Sequence, residues 1–272
     1  MAMDRYVVIG NPVAHSLSPA IHARFAEQCS EQLEYGALLA PLADFRGAAR
    51  DFFASGGRGA NVTLPFKVEA SRFADELSDR SRLAGASNVL IAERDAIRGD
   101  NTDGIGLVAD LTRNLGLALR SRRILMIGAG GAARGVIAPL LELEPALLLI
   151  ANRKPERSRE LAERFRHLGP IAHCGFDAMG GEPFDLVINA TSASTHGEPL
   201  EIPEWPFAPA AMAYDMAYGA GARPFLERCA SRGMRTSDGW GMLVEQAAES
   251  FALWRGRRPD TAAVLATQPT GR

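Results

Sequence analysis

Cysteine is scarce. The 272 residues contain three, Cys29, Cys174 and Cys229, far apart and odd in number. That excludes a disulfide framework and a clustered zinc site, fits a reducing compartment, and leaves the thiols as small core residues. The histidines His15, His22, His167, His173 and His196 share no metal-ligand spacing, so no metal is expected. Neither sign of charge dominates: 30 basic against 32 acidic residues leave −2. Without a basic field, nucleic-acid binding is not expected. No apolar run reaches membrane-spanning length, and Ala146–Ala151 falls far short. There is no internal repeat, no low-complexity tract, and no signal-peptide pattern in Met1–Asp4. A cytoplasmic location, and assembly as a monomer or homodimer, are the expectations.

What the chain has is core material. Apolar residues make up 47% and charged residues 23%, a globular balance that argues against disorder. At about 100–200 residues per domain the length suits two. Strand-like and helix-length segments alternate. Arg5–Gly10, Glu34–Ala40 and Gly59–Leu64 read as strands, with helices over Ala20–Cys29 and Asp44–Ser55 between them. This order predicts a mostly parallel sheet with helices on its faces. Ser87–Ala92 and Ala96–Gly99 read as a hairpin. A second series follows, with strands Arg123–Ile127, Ala146–Ala151, Phe184–Ala190 and Met212–Tyr218 and helices Gly131–Leu143, Pro155–Leu168 and Pro224–Arg232. The last helix, Trp240–Trp254, aligns Leu243, Ala247, Phe251 and Trp254 on one stripe and is expected to return to the first domain. Crossovers are expected at Asn101–Gly104 and Ser237–Gly239. They give one α/β domain of residues 1–102 plus 239–272 and another of residues 103–238.

Ile124–Ile127 runs into Gly128, Ala129, Gly130, Gly131, Ala132 and Ala133, which match G-x-G-x-x-G/A with a strand before and a helix after. Gly128 suits a tight turn, Gly130 a close approach of backbone to a pyrophosphate, and Ala133 close packing of helix on strand. The helix N-terminus offers free N–H groups to phosphates. The bland alternative is a glycine-rich turn without a ligand. The next strand ends in Ala151, Asn152, Arg153 and Lys154, with no acid until Glu156. An acid there would hold a ribose 2′-hydroxyl, whereas two adjacent cations suit a 2′-phosphate. NADP rather than NAD is the expected cofactor. The alternative, a solvated helix start, sets cations against the helix dipole, which an anionic ligand would relieve.

Polar residues collect after the strands of the first half, where open parallel sheets bind ligands. Ser16 and Ser18, spaced i and i+2, can point the same way from an extended segment and donate to one carboxylate. Ser18 is equally suited to cap a helix whose first residue is Pro19. Thr63 and Lys67 follow the third strand, and a lone lysine is most often a surface one. Asn88 suits an ordinary turn, and Asp103 suits a cap for the helix after it. Gln246 lies one turn from Met242 in an apolar helix, so its amide needs a ligand or a neighbouring loop.

Taken in order, Gly10-Asn11-Pro12 with Ser16–Pro19, Asn61–Lys67, Gly99–Gly104, Gly128–Ala133, Asn189–Ser192, Tyr214–Met216 and Asp238–Ala247 resemble the shikimate dehydrogenase family over nearly the whole chain. The resemblance implies NADP-dependent interconversion of shikimate and 3-dehydroshikimate. It also implies two open α/β domains, an N-terminal substrate domain with a mostly parallel sheet and a Rossmann-type NADP-binding domain, with a cleft between them. Ser16, Ser18, Thr63, Asn88, Asp103, Tyr218 and Gln246 match the residues that hold the substrate, and Lys67 and Asp103 match the catalytic pair. Asn152, Arg153 and Lys154 match the 2′-phosphate loop. Thr191, Met216 and Gly239 match segments beside the cofactor. The match departs at Val89, where the family usually has Thr, and Ser87 is expected to replace the missing hydroxyl in part. It departs again at Ala217, where a larger apolar residue is common, and at Ala193-Ser194-Thr195-His196.

Hydride transfer needs two carbons in near-attack geometry and one proton managed. In the reducing direction a Lys67 ammonium can supply that proton. In reverse it must first be neutral, against a reference pKa of about 10.4. Burial would lower that value and a close Asp103 would raise it, so the two are expected to titrate as a coupled pair. Asp103 would also grip the hydroxyl. Competing readings are a quinate/shikimate dehydrogenase or paralogue using NAD, a methylenetetrahydrofolate dehydrogenase of related fold, and a nucleotide-sensing protein without catalysis. The missing acid after Ile150 argues against NAD. Thr63, Lys67 and Asp103 together with two serines argue against the folate enzyme, and an intact Lys67 and Asp103 argue against a sensor.

Overall fold

Tyr6, Val8 and Ile9 of the first strand, β1 (Asp4–Gly10), are buried, Tyr6 and Val8 on one face of the sheet and Ile9 on the other. The computed structural model describes residues 3–196, 200 and 203–268. Helix α1 (Ser18–Cys29) buries Ile21, Phe25, Ala26 and Cys29 at the spacing of one helix face. After β2 (Leu33–Leu39), α2 (Phe45–Ala54) starts where Asp44 Oδ1 accepts from Gly47 N at 2.8 Å. Next come β3 (Gly57–Val62), α3 (Lys67–Phe73), β4 (Glu76–Leu77), α4 (Asp79–Ala84), β5 (Val89–Glu93) and β6 (Ala96–Asp100). Ile9, Phe45, Val62, Phe66 and Leu90 share one buried cluster. Each such side chain contributes about 1.5–3 kcal/mol on burial.

The strands form a six-stranded sheet in the order β2, β1, β3, β5, β6, β4. β5 pairs antiparallel with β3 and β6, and the other pairings are parallel. Chain order reverses between β1 and β3, so the loops leaving their carboxyl ends diverge and open a crevice. Because β5 runs backwards, its start lies at that same end, beside the end of β6. This arrangement positions the polar loops.

The chain passes to a second unit after Gly106, inside α5 (Asp103–Ala109), and returns after Met242, inside α10 (Trp240–Arg255). A π turn over Asp110–Asn114 follows α5. The second unit then runs β7 (Arg123–Ile127), α6 (Gly131–Leu141), β8 (Leu147–Ala151), α7 (Pro155–Phe165), β9 (Ile171–Cys174), β10 (Phe184–Asn189), α8 (Ala193–His196), β11 (Phe207–Asp215), α9 (Arg223–Ser231) and β12 (Arg235–Ser237). Its six strands lie in the order β12, β11, β10, β7, β8, β9 and are parallel throughout. That is the doubly wound dinucleotide-fold order, with the switch point between β7 and β10. Apolar runs such as Ile124–Ile127 and Leu148–Ala151 are buried, as strands covered on both faces must be.

Helix α10 (Trp240–Arg255) and α11 (Ala262–Leu265) complete the first unit, which resumes over Leu243–Thr267. Trp254 Nε1 donates to Leu90 O at 3.2 Å, and Gly59 needs to lack a Cβ because one would stand 2.4 Å from that indole. No helix among the described residues is long and apolar enough to cross a membrane.

Some expected elements shift. β11 begins at Phe207 and ends at Asp215 rather than spanning Met212–Tyr218. It ends there because Asp215 Oδ1 takes the Ala217 N–H at 2.8 Å, pulling that donor out of the ladder. Ser18 lies inside α1, whose N-cap is Leu17. The short strands β4, β9 and β12 were not anticipated.

Candidate active site

The loops after β1 and β3 are laced together. Thr63 N donates to Ile9 O and Asn11 N to Leu64 O, both at 2.9 Å. A Cβ on Gly10 would stand 2.4 Å from Thr63 Cγ2, so Gly10 allows the two loops to touch. Ser16 and Thr63 are half-buried and Ser18 is buried. The capping role expected for the Ser18 hydroxyl is not the one observed. Ser16 Oγ instead accepts from Ser18 N at 3.3 Å, as a turn hydroxyl does.

Lys67 opens α3 and Asp103 opens α5. Lys67 Nζ donates to Asp103 Oδ2 at 2.6 Å, with only 13% and 4% of the two side chains exposed. The carboxylate does not cap its own helix, because Asn88 Nδ2 donates to the other oxygen, Oδ1, at 2.9 Å. An ammonium has three donors and no acceptor. Lys67 therefore keeps two N–H bonds for which no described residue supplies an acceptor. Its backbone is fixed too, since Ser87 N donates to Lys67 O at 2.8 Å.

Behind the pair runs a buried polar network. Asn88 Nδ2 reaches Thr102 Oγ1 at 3.0 Å and Gln246 Oε1 at 3.2 Å, and Asn88 Oδ1 accepts from Thr102 N at 2.7 Å. Gln246 Nε2 donates to Leu243 O at 2.8 Å, so a neighbouring loop and its own helix satisfy the amide. Ser250, one turn further along α10, accepts from Asn61 Nδ2 at 3.0 Å and lies 3.2 Å from Thr102 Oγ1. Tyr35 closes the chain by donating to Asn61 Oδ1 at 2.7 Å. Fully paired networks of this kind hold side chains in one arrangement. The expected set therefore divides. Lys67, Asp103, Asn88 and Gln246 are bonded together, while Ser16 and Thr63 lie in adjoining loops at the same sheet end and Ser18 begins α1 there. Ser87 does not replace the missing hydroxyl of Val89, because it is turned to Ser81 Oγ at 2.6 Å.

In the second unit Gly128 has φ +111°, and a Cβ there would lie 3.0 Å from the Ala190 carbonyl. The turn is therefore open only to glycine. Gly130 caps α6 and would carry a Cβ into open space, with nothing within 4 Å, so a ligand has room beside it. Ala129 is buried, while Gly131 and Ala132 are half-buried in the first helical turn. Ala133, fully buried, seats the helix. Past β8, Asn152 Nδ2 donates to Lys154 O at 2.9 Å, bending the loop so that Lys154 becomes the N-cap of α7. Arg153 and Lys154 are exposed, and neither pairs with a carboxylate among the described residues. Two unpaired cations at a helix N-terminus fit a phosphate.

Past β10, Thr191 N and Oγ1 both donate to Asn189 Oδ1, at 3.1 and 2.8 Å. Met216 and Tyr218, both half-buried, follow β11. Gly239 N donates to Ala217 O at 2.8 Å, and a Cβ on Gly239 would stand 2.4 Å from Met216 O, so only glycine permits that approach. Sequence reasoning passed over Tyr35, Ser250 and Asp215. The signal for Ser250 was its spacing of four from Gln246. Asp215 stood inside a quoted motif, but its burial could not be read from it.

The chain is similar to known proteins over nearly its whole length. Three family descriptions match it: "Shikimate dehydrogenase substrate binding domain" at residues 8–90, "Shikimate / quinate 5-dehydrogenase" at 110–197 and "Shikimate 5'-dehydrogenase C-terminal domain" at 239–267. The shikimate dehydrogenase (NADP(+)) of Dechloromonas aromatica (strain RCB) is 55% identical over 264 residues, 97% of this chain and 96% of that one. An Ael1 enzyme from Pseudomonas putida superimposes with a TM-score of 0.86 at 46% identity, covering 97% of this chain and 98% of that one. Shikimate 5-dehydrogenase from Thermus thermophilus, in complex with NADP(H) and shikimate, gives 0.84 at 31% identity with the same coverage.

Proposed function

This chain belongs to the shikimate dehydrogenase family, and from that premise we propose how its residues divide the work of an NADP-dependent oxidoreductase acting on a CH–OH group. The reaction is the reversible reduction of 3-dehydroshikimate to shikimate, a step toward the aromatic amino acids. The observation that carries the assignment is the buried contact of Lys67 Nζ with Asp103 Oδ2 at 2.6 Å.

Lys67 is the proton donor to the developing alkoxide in the reducing direction and the acceptor in reverse. Asp103 orients the ammonium and accepts from the reacting hydroxyl. Asn88 and Gln246 hold that carboxylate and the ring hydroxyls in register, while Ser16, Ser18 and Thr63 receive the substrate carboxylate and its neighbouring hydroxyl. Tyr218 contributes a further substrate contact. When bound, NADPH supplies the hydride. The Gly128–Ala132 turn, Thr191, Met216 and Gly239 would line its pyrophosphate and nicotinamide. Asn152, Arg153 and Lys154 would take the 2′-phosphate, for which the unpaired cations are the supporting feature.

A spectrophotometric assay of shikimate and quinate, each against NADP and NAD, tests this reading. Shikimate with NADP is the expected best pair. Quinate with NAD as the best pair would favour the quinate-type reading instead, and turnover with none of the four combinations would favour a binding protein.

A further inference from the structure

Asp215 is a buried carboxylate with no cation. It is fully buried at the end of β11, and three donors converge on it. Oδ2 accepts from Asn189 Nδ2 at 2.8 Å and from Ser194 Oγ at 2.7 Å, and Oδ1 accepts from Ala217 N at 2.8 Å. No lysine or arginine pairs with it among the described residues, and burial pushes its pKa up to about 6. A lone buried carboxylate is an expensive way to hold a fold together, and such groups concentrate at functional sites.

The three donors come from two segments, Asn189 and Ser194 from one and Ala217 from the other. Asn189 in turn fixes Thr191, and the Ala190 carbonyl of that loop lies against the Gly128 turn. Ala217 carries the carbonyl that binds Gly239 N, and Met216 N donates to Asn189 O at 3.0 Å. Asp215 thus bonds both the loop that follows β10 and the segment that follows β11. We propose that Asp215 is a positioning residue for the cofactor: its ionised carboxylate locks the Asn189–Thr191 loop and the Met216–Ala217 segment into the shape that receives the nicotinamide half of NADP. This rests on the cofactor reading above.

The chemistry requires an acceptor on both oxygens. A carboxylate offers two, whereas an amide offers one acceptor and turns two donors toward whatever remains. In Asp215→Asn one group, either Ala217 N or the Asn189 and Ser194 pair, must face an N–H. Protonation does the same to one oxygen, so affinity for the cofactor should fall as pH drops through about 6. The other titratable groups whose fields reach Asp215 are Asp238 and Cys229. The 2′-phosphate of NADP titrates with a second pKa of about 6 as well. NAD, which lacks that group, is therefore the control ligand.

The test is calorimetric titration of NADP+ and NAD into the full chain from pH 5 to 8. Wild type, Asp215→Asn and Ser194→Ala are compared, with thermal melts to establish folding. Asp215→Asn should weaken both ligands about tenfold at pH 7.5, the worth of one or two hydrogen bonds, and should remove the acid limb seen with NAD. Ser194→Ala removes a bond that lowers the Asp215 pKa, so its acid limb should move to higher pH, and it serves if Asp215→Asn fails to fold. Unchanged affinities and an unmoved limb in the variants, with wild type binding NADP+ normally, would overturn the inference alone. A wild type that binds neither ligand would overturn the cofactor reading beneath it.

Discussion

Lys67 gives one N–H to Asp103 and retains two, which leaves donors for an oxygen of a bound substrate. Arg153 is a parallel case in the second unit, an exposed cation without a carboxylate. Arg153→Ala should weaken NADP+ by about 10- to 100-fold, the worth of a charge-assisted hydrogen bond, and leave NAD within about twofold by titration. Equal weakening of both would refute the 2′-phosphate assignment. Replacing Ser16 and Ser18 together by alanine should raise KM for shikimate about tenfold or more with little change in kcat, because a carboxylate grip is nearly the same in ground and transition states. A fall in kcat at unchanged KM would contradict it. The sequence disclosed residue types at these positions but not their partners. Ser18 and Asp103 each fitted a helix cap on local grounds. Only the fold directs Asp103 onto Lys67 and Asn88, and turns Ser87 away to Ser81.

At the scale of elements, the long strands and amphipathic helices were legible because burial on one face or both leaves a periodic pattern. β4, β9 and β12 were not. Arg235-Thr236-Ser237 has no apolar pattern and is a strand because β11 offers an edge beside it. Glu76-Leu77 is too short to show a period. The glycine turn was legible in full, since its conformation is dictated locally. Gly128→Ala would hold an L-residue at φ +111° against the Ala190 carbonyl, a strain of about 1–3 kcal/mol. Thermal unfolding should fall by several degrees and NADP+ binding should weaken. A wild-type melting temperature with wild-type affinity would show that the turn is not constrained as described.

At the scale of the molecule, the last helix was readable from its apolar stripe, of which Ala247 and Phe251 are fully buried and Leu243 and Trp254 half-buried. The exact junctions were not readable, because both lie inside continuous helices. Two buried carboxylates act on stability against pH with opposite sign. Burial alone would raise the Asp100 carboxyl, but hydrogen bonds from Arg80, Ser78 and Asn101 N outweigh it and hold it below the usual range. Its contribution is present above the ordinary carboxylate range and is lost as pH falls through its depressed folded value. Asp215 has the reverse sign: its contribution is complete below the ordinary range and is lost as pH rises through about 6. Arg80→Ala would leave Asp100, 3% exposed, with Arg98 at 3.6 Å as its remaining cation among the described residues, beside the Ser78 and Asn101 N donors. The loss should be about 2–3 kcal/mol at pH 7 by urea denaturation, shrinking toward pH 4 as the carboxyl protonates. A loss independent of pH would contradict the pairing.

The measurement closest to the central claim is the single-turnover rate of Lys67→Ala, with NADPH absorbance followed after mixing with 3-dehydroshikimate and NADPH affinity measured separately. The rate should fall about 10²- to 10⁴-fold, the usual worth of a positioned proton donor, with affinity within about twofold of wild type and partial recovery on adding a small primary amine. A variant that turns over at the wild-type rate would show that the ammonium held by Asp103 does not move the proton.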